Sequence, residues 1–246
     1  MRKTLILLTA AILLAPGFVF SDVITFKVGY FFPNTNSDLW QDEFDNMSFK
    51  KSDYQDSNFG FGYEYFLADE LSLVLNVEGY SKNKTGIYQD YAAIQATDGY
   101  DYAFFEEAGN SIVHTFSVSI TPIQLSVKLT PLGRREKIIP YVGGGAGVYL
   151  WTVRLYGDMV DFADPVPFDD GSIGYPIYLT DAREDNKFKI GFHAFGGIMV
   201  PVANRISFEA EFKYNFISAD LTEAFEGFQP FDMSGYQVSL GVNYWF

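Results

Sequence analysis

The last eleven residues, Tyr236-Gln-Val-Ser-Leu-Gly-Val-Asn-Tyr-Trp-Phe246, decide how the rest of the chain is read. Tyr236, Val238, Leu240, Val242, Tyr244 and Phe246 fall on one side of a two-residue period, and Gln237, Ser239, Gly241 and Asn243 on the other. Side chains of a strand point alternately to opposite faces, so this period predicts a strand with one apolar and one small or polar face. The segment before it, Arg205–Ile217, repeats the pattern with heavier contrast. Ile206, Phe208, Ala210, Phe212, Tyr214 and Phe216 oppose Ser207, Glu209, Glu211, Lys213 and Asn215. Soluble sandwiches also alternate. Charges in mid-strand opposite an almost unbroken row of Phe, Tyr, Leu and Val favour an apolar face turned to lipid and charges enclosed on the other side.

Six further segments carry the same period: Val23–Phe32, Ser57–Ala68, Leu71–Ser81, Ile112–Leu132, Ile138–Leu155 and Lys187–Val200. Short connections (Asp69–Glu70, Gly133–Lys137, Pro201–Asn204) alternate with long ones, roughly 33–56, 82–111, 156–186 and 218–233. Structureless connections of such length are uncommon in compact soluble domains. Eight strands, tight turns at one end and long loops at the other predict an all-β fold, an eight-stranded antiparallel up-and-down transmembrane β-barrel. Closure satisfies every backbone group, which an open sheet in lipid could not do. Along Ile112–Leu132, Phe116, Val118 and Ile120 are even while Ile123, Leu125, Val127 and Leu129 are odd. This change of face predicts a bulge near Pro122, which has no N–H to give to a ladder. The glycine-rich segment Ile138–Leu155 permits two facings, with either Val142, Ala146, Val148 and Leu150 or Tyr141, Tyr149 and Trp151 toward lipid.

Composition narrows the function. The chain has 246 residues, 18% aromatic, a formal charge of −14 and no cysteine. Disulfides and Cys-ligated metals are thereby excluded, and the acidic balance opposes nucleic-acid binding. Arg2 and Lys3 precede the apolar run Leu5–Leu14 and then Pro16 and Gly17, which predicts a signal peptide over 1–21 and a barrel domain over 22–246. Loss of the two cations takes the mature chain to −16; its four long connections carry −18, leaving +2 for the remainder. The acidity belongs to one end of the molecule.

Two motifs carry a family likeness. The C-terminal strand ending in Phe246, and Pro140-Tyr-Val-Gly-Gly-Gly-Ala-Gly-Val148, resemble those of the small eight-stranded outer-membrane barrels related to the OmpA transmembrane domain, OmpX and OmpW. The resemblance spans nearly all of the mature chain. It implies a monomer in the outer membrane of a Gram-negative-type envelope, exported through the periplasm and bounded by lipid and lipopolysaccharide. It also implies that Tyr236, Val238, Leu240, Val242, Tyr244 and Phe246 form the signal read by the barrel-assembly machinery.

With the apolar face outward, Lys27, Glu64, Glu78, Lys128, Lys189, Glu209, Glu211 and Lys213 point inward, four acids and four bases. An eight-stranded barrel is just wide enough for side chains to fill it, so these residues are expected to form an ion-pair plug; a narrow conduction path is the alternative. Catalytic chemistry is thin. His114 and Ser117 alternate to opposite faces of one strand, which argues against a lipid-modifying enzyme. His193 falls among inward positions as an interior residue. Asp158, Asp161, Asp164, Asp169 and Asp170 lack calcium-loop spacing, and their ordinary reading is a solvated acidic loop, with cation bridging to lipopolysaccharide as the alternative. No metal, cofactor or catalytic residue is expected. Trp40, Tyr80, Tyr88, Tyr156 and Tyr175 are expected in the aromatic girdle or in an exposed ligand patch. The expected role is structural or adhesive, through the acidic loops, with a passage for small or hydrophobic solutes as the rival.

Overall fold

Antiparallel pairing runs from each strand to its neighbour in sequence, and then from the last strand back to the first. The computed structural model describes residues 22–89, 109–169, 171 and 173–246. The predicted signal peptide, residues 90–108 of the second long connection, Asp170 and Ser172 lie outside the described residues. The strands are β1 (Val23–Pro33), β2 (Asp56–Phe66), β3 (Leu71–Ile87), β4 (Val113–Leu129), β5 (Ile139–Val160), β6 (Ile177–Ala203), β7 (Ile206–Phe216) and β8 (Gly235–Trp245). They close in the order β1-β8-β7-β6-β5-β4-β3-β2. The seam pairs Val23 with Trp245 and Pro33 with Gly235, so the first and last strands have no free edge.

The barrel is lopsided. β1, β2, β7 and β8 have 11 residues each, whereas β3 and β4 have 17, β5 has 22 and β6 has 27. Three strands therefore run well past their predicted ends: β3 to Ile87, β5 to Val160, and β6 backward to Ile177. Much of the expected loop sequence is a wall of sheet standing above one side of the barrel. The connection over 33–56 is also not structureless. It holds a helix, α1 (Asp38–Asn46), and a 3-10 turn (Lys51–Tyr54).

The predicted bulge at Pro122 is absent. β4 keeps one register against β3 and one against β5 along its length, with Pro122 opposite Tyr149. Even positions face inward throughout: Phe116, Val118 and Ile120 above, Gln124, Ser126 and Lys128 below. What changes is the polarity of both faces at one level. Below it the outside is apolar (Leu75, Val77, Ile123, Leu125, Val148, Leu150). Above it the outside becomes Ser81, Asn83, Ser117, Ser119 and Thr152, on rungs paired across the sheet. The inside inverts in the opposite sense, from Glu78 and Gln124 to Tyr80, Ile120 and Trp151. Register shifts lie instead between β5 and β6, at Tyr149/Trp151, and between β6 and β7, at Pro201/Ala203.

The facing of β5 is settled by the same rungs. Val142, Val148 and Leu150 are outside; Tyr141, Tyr149 and Trp151 are buried inside. Glycines alternate with them because the interior has no room. A Cβ on Gly145 would lie 2.0 Å from the Leu125 carbonyl oxygen, and one on Gly143 would meet the Phe195 ring. At the opposite end, Gly133 takes a positive φ of 74° in the tight β4–β5 turn, where its N–H donates to Thr130 O at 2.8 Å.

Candidate functional site

The barrel interior is filled by two stacked layers. The lower one is ionic. Lys27 Nζ lies 2.8 Å from Glu211 Oε2 and 3.1 Å from Glu209 Oε1. Lys128 donates to Glu64 Oε2 at 2.8 Å and lies 4.1 Å above the centre of the Tyr141 ring. Lys213 donates to Glu78 and, at 3.1 Å, to Gln124 Oε1. Gln124 passes its amide hydrogens to Tyr149 Oη at 2.7 Å and Asn215 Oδ1 at 2.8 Å. His193 Nε2 lies 2.6 Å from Ser126 Oγ. The three lysines and four glutamates of this layer are all buried. An uncompensated charge there would cost several kcal/mol, so each lysine sits against a carboxylate from another strand.

Lys189 does not join them. Its side chain is 38% exposed and reaches Asp220 at 3.3 Å on the rim. It pairs with Tyr149 beside the register shift, where β6 leaves the barrel's regular ladder. The lower layer thus has four glutamates and three lysines, a formal −1, rather than the predicted balance.

The upper layer is aromatic and holds α1. Trp40 is 1% exposed, with its ring 4.8 Å from Tyr54, 5.2 Å from Phe116 and 5.1 Å from Phe231. Its Nε1–H donates to Asp232 O at 3.0 Å. Tyr54 Oη donates to Phe116 O at 3.1 Å. Burial, with the Glu43 carboxylate nearby, holds that hydroxyl well above its ordinary pKa range. Asp38 at the start of α1 accepts Gln229 N–H at 2.8 Å, so the last loop ties the helix down. Trp40, Tyr80 and Tyr88 are therefore inside the protein rather than in an outer girdle. Tyr156 is half-buried on the outer face beneath the Arg154 guanidinium, and Tyr175 packs against the upper core. The signal that sequence reasoning passed over is Ser37-Asp38, which suits a helix start, followed by Leu39, Trp40, Glu43 and Phe44 on one helical face.

Above the aromatic layer, α1 and the β4–β6 wall enclose a cavity of about 300 Å³. A buried pair lies in its lining: His114 Nε2 is 2.8 Å from Glu43 Oε2, 71 residues away in the chain. The other ring nitrogen, Nδ1, lies 3.2 Å from the Asp158 carbonyl oxygen. A carbonyl only accepts, so Nδ1 carries hydrogen. Nε2 and the Glu43 oxygen then need one more proton between them. The pair is net neutral whichever atom holds it. Ser117 is on the outer face of β4, opposite to His114, as the alternation predicts. Among the described residues no group of three or more His, Cys, Asp or Glu is arranged to hold a metal ion.

Neither a family profile nor a curated protein sequence matches the chain. Solved structures do. A major outer membrane protein from Thermus thermophilus aligns at 9% identity and TM-score 0.48, covering 92% of this chain and 98% of that one. Neisserial surface protein A aligns at 14% identity and 0.45 (92% and 97%). The N-terminal β-barrel domain of Pseudomonas aeruginosa OprF aligns at 13% and 0.39 (92% and 97%).

Proposed function

We propose that the protein is an integral outer-membrane barrel with a closed interior, anchored in lipid as a monomer and acting through its acidic, loop-bearing end in a structural or adhesive role. The observation that carries this reading is the inversion of polarity on both faces at a single level. A soluble barrel has no reason to turn its apolar face outward over one part of its height and inward over the rest. A barrel whose lower part lies in lipid and whose upper part stands in water does. The geometry suits the thickness: 11 residues of β7, rising about 3.3 Å each at a tilt of about 40°, climb about 28 Å, against an apolar band about 25 Å tall.

Two observations support closure: the lysine–glutamate layer and the aromatic layer around Trp40 both lie across the interior. The rival role, a passage for small or hydrophobic solutes, requires both layers to part. The acidic end, with −18 over its four connections, supports a surface role over an enzymatic one, as does the placement of His114 and Ser117 on opposite faces of β4. Planar-bilayer recording on the purified mature protein tests the reading. No stable single-channel steps are expected, and reproducible steps overturn the closed interior. In cell fractions the protein is expected to stay with the outer membrane through an alkaline wash; release into the wash overturns the anchor.

A further inference from the structure

The cavity between α1 and the β4–β6 wall combines an apolar lining with several acidic groups. Its volume of about 300 Å³ is at the lower bound for small-molecule sites. Most of its wall is apolar, with Leu39, Ile112, Leu155, Val160 and Phe225 buried in it. Tyr88, Phe162 and Phe228 add ring faces. The polar groups are Asp42, Glu43, His114 and Asp158, with Asn46 and Thr180; among the described lining residues there is no Lys or Arg.

The charge balance of these groups excludes some ligands. Since His114 and Glu43 are neutral as a pair, the local charge comes from Asp42 and Asp158. Asp158 uses Oδ2 to accept Val113 N–H at 3.0 Å. Partial desolvation, with Asp38 and Asp45 close by, raises the Asp42 carboxyl above its ordinary range, so a neighbouring positive charge would relieve it. An anion would meet carboxylates and no cation. A neutral apolar molecule would make no use of the carboxylates. A cation on an apolar body would satisfy both the carboxylates and the ring faces.

We propose that this cavity binds a small organic ammonium carrying an aromatic or alkyl body, with the charged end at Asp158 and Asp42 and the body against Leu155, Val160 and Phe225. The Glu43–His114 pair closes the floor and holds α1 in place as one wall. This assignment is independent of whether the lower barrel conducts.

The test is isothermal titration of the full mature protein, folded in a non-ionic detergent, against three probes of one shape: 2-phenylethylammonium, 2-phenylethanol and phenylacetate. Each is corrected for partition into protein-free micelles. The ammonium is expected to bind at least tenfold more tightly than the alcohol, and phenylacetate not to bind. Asp158→Asn and Asp42→Asn are each expected to weaken the ammonium about tenfold and leave the alcohol unchanged. Asp42 is on the exposed side of α1, so its variant folds even if the Asp158 variant does not. Equal binding of ammonium and alcohol, tighter binding of phenylacetate, no binding of any probe to the wild type, or ammonium affinity untouched in both variants overturns the proposal.

Discussion

Removing the Lys27 ammonium should be far more costly than removing a charge at the barrel's loop-side rim. Lys27 contacts two carboxylates, Glu211 at 2.8 Å and Glu209 at 3.1 Å, and all three side chains are at most 6% exposed. Tyr141 Oη and Asn243 Nδ2 donate weakly to the same carboxylates, at 3.3 and 3.1 Å, and cannot neutralise them. Lys27→Met keeps most of the stem's volume and takes the ionic layer from a formal −1 to −2. Breaking a buried pair in this way costs about 3–5 kcal/mol, or roughly two to four powers of ten in the folding constant. With a urea slope of about 2–3 kcal/mol/M, the unfolding midpoint should fall by about 1–2.5 M. Lys27→Met/Glu211→Gln restores the layer to −1 and should recover about half of the loss. Lys189→Met is the control: its partner Asp220 is 72% exposed, and such a pair is worth about 0–1 kcal/mol. Reversible urea unfolding in phospholipid vesicles measures all three. If Lys27→Met lies within about 1 kcal/mol of wild type, or the double variant is no more stable than the single one, the ionic layer is not a paired network.

Three other outcomes follow from the same geometry. Trp40→Ala should cost about 3–5 kcal/mol and expose the α1 amides to hydrogen exchange, since it empties the centre of the aromatic layer; unchanged protection would mean that α1 does not seal the barrel. Gly145→Val should block assembly because its Cβ has no space, whereas Gly79→Ala, with nothing within 4 Å, should assemble normally; equal yields in heat-shift electrophoresis would refute the tight β4–β5 packing. Deletion of Phe246 should lower the outer-membrane yield in cells by removing the last outward aromatic of the C-terminal segment, and an unchanged yield would refute its role as an assembly signal.

Some of this was legible in the sequence and some was not, for physical reasons. β7 and β8 are readable residue by residue because they lie wholly at one level, where the outer face is apolar and the inner face polar or charged. β4 crosses out of that level. Its apolar residues exchange faces while its register does not, and a rule that equates apolar with outward can only turn that into a bulge at Pro122. The same blind spot placed Trp40, Tyr80 and Tyr88 in an outer girdle. Above the inversion, large aromatics belong inside, as in a water-soluble core. Lys27, Glu209, Glu211 and Lys213 followed from strand parity alone. Lys189 keeps the same parity, opposite the buried Tyr149, but β7 pairing ends at Phe192/Phe216, so Lys189 stands beyond the end of β7 and reaches Asp220 on the rim. The His114–Glu43 pair joins residues 71 apart through a helix docked inside a barrel, which no local period encodes.

The inversion itself can be measured directly because the chain has no cysteine to remove. Single cysteines along β4, at 116, 117, 118, 119, 120, 123, 125 and 127, would be compared in proteoliposomes for quenching of an attached fluorophore by brominated lipid and for reaction with a membrane-impermeant thiol reagent. Lipid quenching is expected at 123, 125 and 127, aqueous labelling without quenching at 117 and 119, and protection from both at 116, 118 and 120. Lipid quenching at 116, 118 and 120 would contradict the inversion, since those side chains would then face the membrane and the sheet would carry the bulge after all.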